Sequence, residues 1–532
     1  MPSRLLEVLQ NDPQWMKRPF FVWIERHAAL ILLCLSLFLL YGYFLAHKID
    51  LTTADLGRHI KNGEMLLQDS SVLSENLYSY THPDFKWVNH HWASGVLAYA
   101  AWKLFGFVGI QVIFILLSFA TLAVFLFSGK SYAGWGIAGL LTLATISLLG
   151  ERTEVRPEVI SYLFAGLFFL LLCRYRDSPD IRNSKLIWLL PLIEILWVNT
   201  HVYFLLGPLI IGAFLLESLL VRRVVFFRIL SVFLGVLFAM LINPFGVRAF
   251  TAAATIFQNY GYRLAENQPV WFMEKLMPEP NFLVFKLLFL LLLLSFIGAA
   301  IRNWRAVRLS NLFVVAGMSI MAWFAIRNLA LFGLFFIPVA AANARIIFGN
   351  QTRNHTLISV AAFCAAVVCI IFALFGIPRY FPYWREFGLG LETGNSRSIE
   401  FLFEQKIQGP IFNNYDIGGY LIFYLFPKEK VFVDNRPEAY PVAFFTDLYI
   451  PMQEKEEKWR EALSRYDFNV IVFAYHDATP WAQQFLTTRI KDAEWAPVFV
   501  DGRVLVLLRR TEKNEETIRQ FELPRSVFNI KQ

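Results

Sequence analysis

Eleven apolar runs, near residues 28–46, 107–127, 133–149, 158–173, 186–198, 202–220, 226–242, 281–300, 310–325, 329–344 and 356–377, decide what this chain can fold into. Inside hydrocarbon every backbone amide must find an internal partner, so runs of this length read as membrane helices. The expectation is an α-helical polytopic membrane protein with about 11 transmembrane helices, of which the 186–198 run is short for a full crossing. With 57% hydrophobic and 17% charged residues over 532 positions, the composition agrees. Ala28–Ala46 is 19 residues, too long for a signal-peptide core and long enough to stay as an anchor. The four cysteines (Cys34, Cys173, Cys364 and Cys369) lie within or at the ends of apolar runs, where neither disulfides nor a zinc site can be read.

Orientation follows from the cations. With the N-terminus inside, seventeen lysines and arginines fall on inside segments, whereas the short outside turns hold only Arg152, Arg156 and Arg327. Cation retention predicts this asymmetry, and it accounts for the net charge of +8 without invoking nucleic acid. The chain then divides into a cytoplasmic N-terminus (1–27), a transmembrane domain (28–377) with outer loops 47–106 and 243–280, and a C-terminal extracytoplasmic α/β domain (378–532). In a bacterium this is an inner-membrane protein with a periplasmic tail. In that tail "KVFVDNR" and "NVIVFAYH" read as extended, "PMQEKEEKWREALSRY" as helical, and Asp501-Gly502 as a two-residue hairpin turn.

Polar chemistry collects on the outer side. In "LTTADLGRHIKNGEMLLQ", just after the first run, Leu56, Ile60, Gly63 and Leu67 share one helix face and Asp55, His59 and Asn62 another. That pattern suits an interfacial helix with a polar stripe facing water or a site. "WVNHHW" adds Asn89, His90 and His91, with Trp87 and Trp92 read as a headgroup belt. "GERTEVRPEV" holds Glu151, Arg152, Glu154, Arg156 and Glu158 in one turn, readable equally as a solvated loop. "WVNTHVY" places Asn199 and His201 near the membrane surface, where buried polar groups need partners. Arg327 follows its run with almost no loop, and Glu194 falls inside a run, either as half of an interior ion pair, the simpler reading, or as the mark of a pathway. Arginines at such depths suit a lipid phosphate, and a carboxylate beside them suits deprotonation of a hydroxyl.

At these residues the chain resembles the GT-C superfamily of membrane glycosyltransferases. It is similar, more narrowly, to bacterial relatives of the protein O-mannosyltransferase and lipid A aminoarabinose transferase group. The resemblance rests on the acid in "ADLGRH", on "WVNHHWASGVL", "RPEVISYLF", "WVNTH", "NPFG" and "RN", and on the order of spans and outer tail. It implies transfer of a sugar from a polyprenyl-phosphate donor to an acceptor hydroxyl of a protein, lipid or polysaccharide, at the outer face. Asp55 would be the base, with His59, His91 and Glu154 beside it. Arg327, Arg156 and Arg152 would hold the donor phosphate. Asn199, His201, Glu266, Asp434 and Arg436 would line the substrate pocket, with Asp416 near its mouth. Many relatives carry adjacent acids where Leu56 follows Asp55, so a divalent metal is possible without being supported. Gly418-Gly419 reads as a tight turn or a close-packing pair and not as a phosphate loop, since no P-loop lysine or threonine follows. The rival readings are a transporter or flippase for a lipid-linked glycan and a non-catalytic envelope assembly protein.

Overall fold

The computed structural model describes residues 19–221, 223–255, 258–349, 355–371, 374–375 and 386–528. Most of the expected cytoplasmic segment, and the junction of the last run with the tail, lie outside the described residues. Each apolar run is helical where described: α1 (Pro19–Leu45), α3 (Trp92–Leu149), α4 (Glu158–Asp177), α5 (Leu189–Thr200), α6 (Leu206–Val221), α7 (Arg223–Ala239), α8 (Pro280–Asn303), α9 (Leu309–Phe324), α10 (Leu329–Phe348) and α11 (His355–Ile371). The amphipathic α2 (Leu56–Leu66) follows α1.

The 58 residues of α3 would extend about 87 Å as one straight helix, nearly three hydrocarbon thicknesses. Two glycines in the left-handed region, Gly106 (φ +64°) and Gly134 (φ +81°), interrupt it. A methyl built on Gly129 would lie 3.4 Å from the Ala138 side chain, nine positions along, so the chain reverses at Gly134. The runs 107–127 and 133–149 are thus two arms of one hairpin, with Lys130 Nζ 4.9 Å from the Trp135 ring at its tip.

Among the described residues, five helical stretches are long and apolar enough to cross a membrane, and three apolar helices are shorter. The twelve residues of α5 rise about 18 Å, well short of a crossing. On α8 the exposed Leu283, Leu287, Leu290, Leu294, Ile297 and Ile301 recur every three or four residues, the stripe a lipid-facing helix presents.

The described residues form two compact units. One takes its residues from 1–45, 119–153 and 269–384, and the other from 46–118, 154–268 and 385–532. In the first, α10 is buried along Leu329–Asn343 and packs against α8 and α9. The second contains a four-stranded sheet of β1 (Ile411–Asn413), β2 (Val470–Ala474), β3 (Trp495–Val500) and β4 (Val504–Arg509) in the order β1-β2-β4-β3. Only β1 and β2 pair in parallel. Every residue of β2 is buried, because its alternating side chains feed two cores. Val470 and Val472 meet Tyr420 and Leu421 of α12 (Gly418–Leu425) together with Leu56 and Ile60 of α2. Ile471 and Phe473 meet Trp459 and Phe485 on the opposite face. The segment that follows α1 and the C-terminal tail therefore share one hydrophobic core.

Three local expectations change. "KVFVDNR" forms no strand: Val431 makes a single bridge to Ser79, and the residues after it turn inward to bury Asp434 and Arg436. The hairpin turn lies one residue later than expected, because Asp501 N donates to Val504 O and leaves Gly502-Arg503 as the central pair. Trp87 is buried under the Arg436 guanidinium, 4.4 Å from its ring, and belongs to no headgroup belt.

Within the second unit, α2 and α3 approach through glycine. A methyl on Gly63 would sit 2.1 Å from the Gly95 carbonyl oxygen, a rigid backbone atom. Gly63→Ala should therefore lower the thermal unfolding midpoint in detergent, by the equivalent of about 1–3 kcal/mol of overpacking. An unchanged midpoint would rule out this approach.

Candidate active site

An aspartate opening a helix ordinarily accepts hydrogen bonds from the first backbone N–H groups. Asp55 precedes α2 in that position, yet its side chain makes no capping bond. Asn435 Nδ2 donates to Asp55 Oδ1, while Asn435 Oδ1 accepts from Arg58 Nε at 2.9 Å. Arg58 Nη2 lies 3.7 Å from the same Asp55 oxygen, and Arg156 Nη1 lies 4.0 Å from Asp55 Oδ2. Arg156 also binds Glu154 at 2.7 Å and Glu266 at 2.8 Å. Side-chain exposures of 19% for Arg156, 23% for Asp55, 24% for Glu154 and 27% for Glu266 leave the cluster reachable from solvent.

The buttress behind Asn435 is rigid. Arg436 donates through Nε and Nη2 to the two Asp434 oxygens at 2.7 and 2.6 Å, and through Nη2 to Asn76 at 2.6 Å. Both members of the pair are essentially inaccessible, so Asp434 and Arg436 line no opening and serve each other, a correction to their expected pocket role. A methyl on Gly418 would meet the Asp434 Cα at 2.4 Å, and one on Gly57 would meet the Gly419 carbonyl oxygen at 3.0 Å. The glycine pair thus brings α12 against both the Asp434 turn and α2, the close-packing alternative of the two sequence readings.

One turn along α2, His59 enters a group of imidazoles. Ring centroids are 5.3 Å apart for His59 and His91, 4.0 Å for His90 and His91, and 5.1 Å for His91 and His201. His201 is held by Ser161 Oγ at 2.8 Å, itself bonded by Trp197 Nε1. Burial, with the Arg58 and Arg156 charges next, holds His59 well below the ordinary histidine range. Burial and the neighbouring imidazoles do the same for His91. Nδ1 of His59 has no hydrogen-bond partner among the described residues. The polar stripe of α2 therefore faces inward, not toward water. Asn199 accepts from Trp92 Nε1 at 3.0 Å and donates to the Ile195 and Ile242 carbonyls, a structural set of bonds.

Arg152 and Arg327 belong to the first unit, where Arg152 follows α3 and Arg327 lies in the turn between α9 and α10. Glu151, in the same unit, has its carboxyl pushed by burial up to about 7. Glu194 has no ion partner among the described residues: it is fully buried in α5, with Oε2 2.3 Å from where a Gly207 methyl would stand.

Sequence reasoning missed Asn435, whose amide is one of many on a polar tail, and Arg58, which lies on neither of the two helix faces that the periodicity marks. Asp416, expected near the site mouth, follows β1 and is pushed by burial, Asp477, Asp55 and Glu154 up to about 7. Unfolding returns it to the usual carboxylate value, so between about 4 and 7 the folded chain keeps a proton the unfolded chain releases. Stability from this group falls as pH rises through that window. In thermal unfolding scans from pH 5 to pH 8, Asp416→Asn should flatten that decline; an identical slope would remove the assignment.

No family model matches the chain, and no curated protein matches it by sequence. Among solved structures, archaeal oligosaccharyltransferase AglB from Archaeoglobus fulgidus, in complex with an inhibitory peptide and a dolichol-phosphate, aligns with a TM-score of 0.59 and 10% identity. The alignment covers 91% of this chain and 74% of that one. ArnT from Cupriavidus metallidurans in the apo state aligns with a TM-score of 0.53 and 13% identity, over 95% of this chain and 99% of its own. At these identities the likeness is one of fold. The chain shares with both an arrangement of many membrane-length helices and a sheet-containing C-terminal portion.

Proposed function

We propose that this GT-C-fold chain moves a sugar from a polyprenyl-phosphate donor to an acceptor hydroxyl at the outer membrane face, with Asp55 as base. The observation carrying the reading is the Asp55 carboxylate, withdrawn from its capping role and held between Asn435, Arg58 and Arg156. The dolichol-phosphate in the AglB complex supports a lipid-phosphate donor. The core shared by the first outer loop and the tail supports their lying on one side of the membrane, as the cation count requires.

In the proposed step the acceptor oxygen attacks the anomeric carbon, whose bond to the donor phosphate oxygen breaks. The acceptor proton passes to Asp55, and the electron pair leaves with the lipid phosphate. Arg156, the expected phosphate arginine that lies beside Asp55, meets the charge growing on the leaving group. Neutral His59 and His91 orient the acceptor by hydrogen bonding. Asn435 fixes the Asp55 rotamer, so the tail takes part in the reaction centre.

Purified protein incubated with labelled polyprenyl-phosphate sugars separates the classes. Release of free lipid phosphate supports transfer, vectorial uptake without bond cleavage supports a flippase, and neither supports an assembly role. Asp55→Asn should reduce lipid-phosphate release about 10²–10⁴-fold at unchanged expression. Near-normal turnover in that variant would exclude Asp55 as base. Asn435→Ala should lower kcat with little change in KM for the donor.

A further inference from the structure

Three carboxylates from distant parts of the chain converge on one guanidinium. Arg156 Nε and Nη2 share Oε2 of Glu154 at 2.7 Å, Nη1 binds Oε2 of Glu266 at 2.8 Å, and Nη1 faces Oδ2 of Asp55 at 4.0 Å. Asp55 and Glu266 stand about a hundred residues to either side of Arg156, so the tertiary fold, not a charged loop, builds this arrangement.

Carboxylate oxygens in this number are the donors that hard divalent cations take, at about 2.0–2.6 Å from one common point. That point is filled here. The Glu154 and Glu266 oxygens lie at hydrogen-bond distance around a planar guanidinium and the Asp55 oxygen at ion-pair distance from it, and among the described residues no three His, Cys, Asp or Glu side chains are set to hold a metal ion. The donor set does not fit a divalent cation while Arg156 stands in it.

We infer that Arg156 is the built-in cation of this centre, and that the Asp55–Glu154–Glu266 carboxylates bind no divalent metal because its guanidinium already occupies their focus. Glu154 and Glu266 are then positioning residues that hold the guanidinium with its Nη1 edge toward Asp55. An arginine keeps its charge at every working pH and cannot be chelated away. Its single charge is spread over a plane, which matches the oxygens of a phosphate by paired N–H bonds. The catalytic consequence, a transfer reaction indifferent to chelators, rests on the function proposed above; the metal-binding claim does not.

The test is a Mn2+ titration of purified full-length protein in detergent, read by the loss of the free-ion electron paramagnetic resonance signal. Wild type should leave the signal at its free-ion amplitude. Arg156→Gln removes the resident charge and should gain about one saturable Mn2+ per chain. Adding Glu266→Gln should abolish that gain. A saturable site in wild type that Glu154→Gln or Glu266→Gln removes would overturn the inference, as would a folded Arg156→Gln that takes up no Mn2+. Should Arg156→Gln fail to fold, Arg156→Lys keeps a cation in place and should bind no Mn2+; a saturable site in it would equally refute the claim. Lipid-phosphate release that persists in excess EDTA supports the catalytic consequence, and release that EDTA abolishes and Mn2+ restores refutes it. Absence of release under every condition defeats the transferase reading and leaves the resonance result to decide the cation.

Discussion

The arrangement depends on keeping one carboxylate from doing the ordinary thing. Asp55 begins a helix with unsatisfied N–H groups, and a capping bond there is worth roughly 1 kcal/mol. Its side chain is drawn away by an amide, Asn435, that also engages Arg58. Asn435 can do this because its neighbours are immobilised: the buried Asp434–Arg436 pair faces one way and leaves the amide facing the other. A buried ion pair is poor evidence of stability but good evidence of geometric specification. Here it fixes a short turn to within hydrogen-bond tolerance of the residue it serves.

Glycine sets the distances. Gly57, Gly63, Gly418 and Gly419 each stand where a methyl would meet another element at van der Waals contact or closer, so α2 is held against both α3 and α12 at backbone distance. This brings polar side chains from the segment after α1 and from the tail into one reachable cluster. It also encloses α2, whose Arg58, His59 and Asn62 are all buried. Enclosure then tunes the chemistry, because imidazoles deprived of water and set beside guanidinium groups stay neutral. A neutral imidazole can accept a hydroxyl proton or donate to an oxygen, and it adds no positive charge to compete with Arg156.

The sequence by itself determined the membrane character, the helical runs and the α/β nature of the tail. Hydrocarbon admits few backbone solutions, and helix and strand periods differ enough to be read along the chain. It also marked Asp55, Arg156, Glu154, Glu266, His59, His91 and His201, residues that tertiary folding brings into one unit. It could not assign partners. Arg58 and Asn435 are 377 positions apart, and no periodicity encodes a contact of that span. Nor could it separate Asp434 and Arg436, which serve each other in the interior, from Asn435 between them, which serves the site. Which of three adjacent polar residues faces Asp55 is decided by the packing of a turn against α12, a property of the assembled core and of no local stretch of chain.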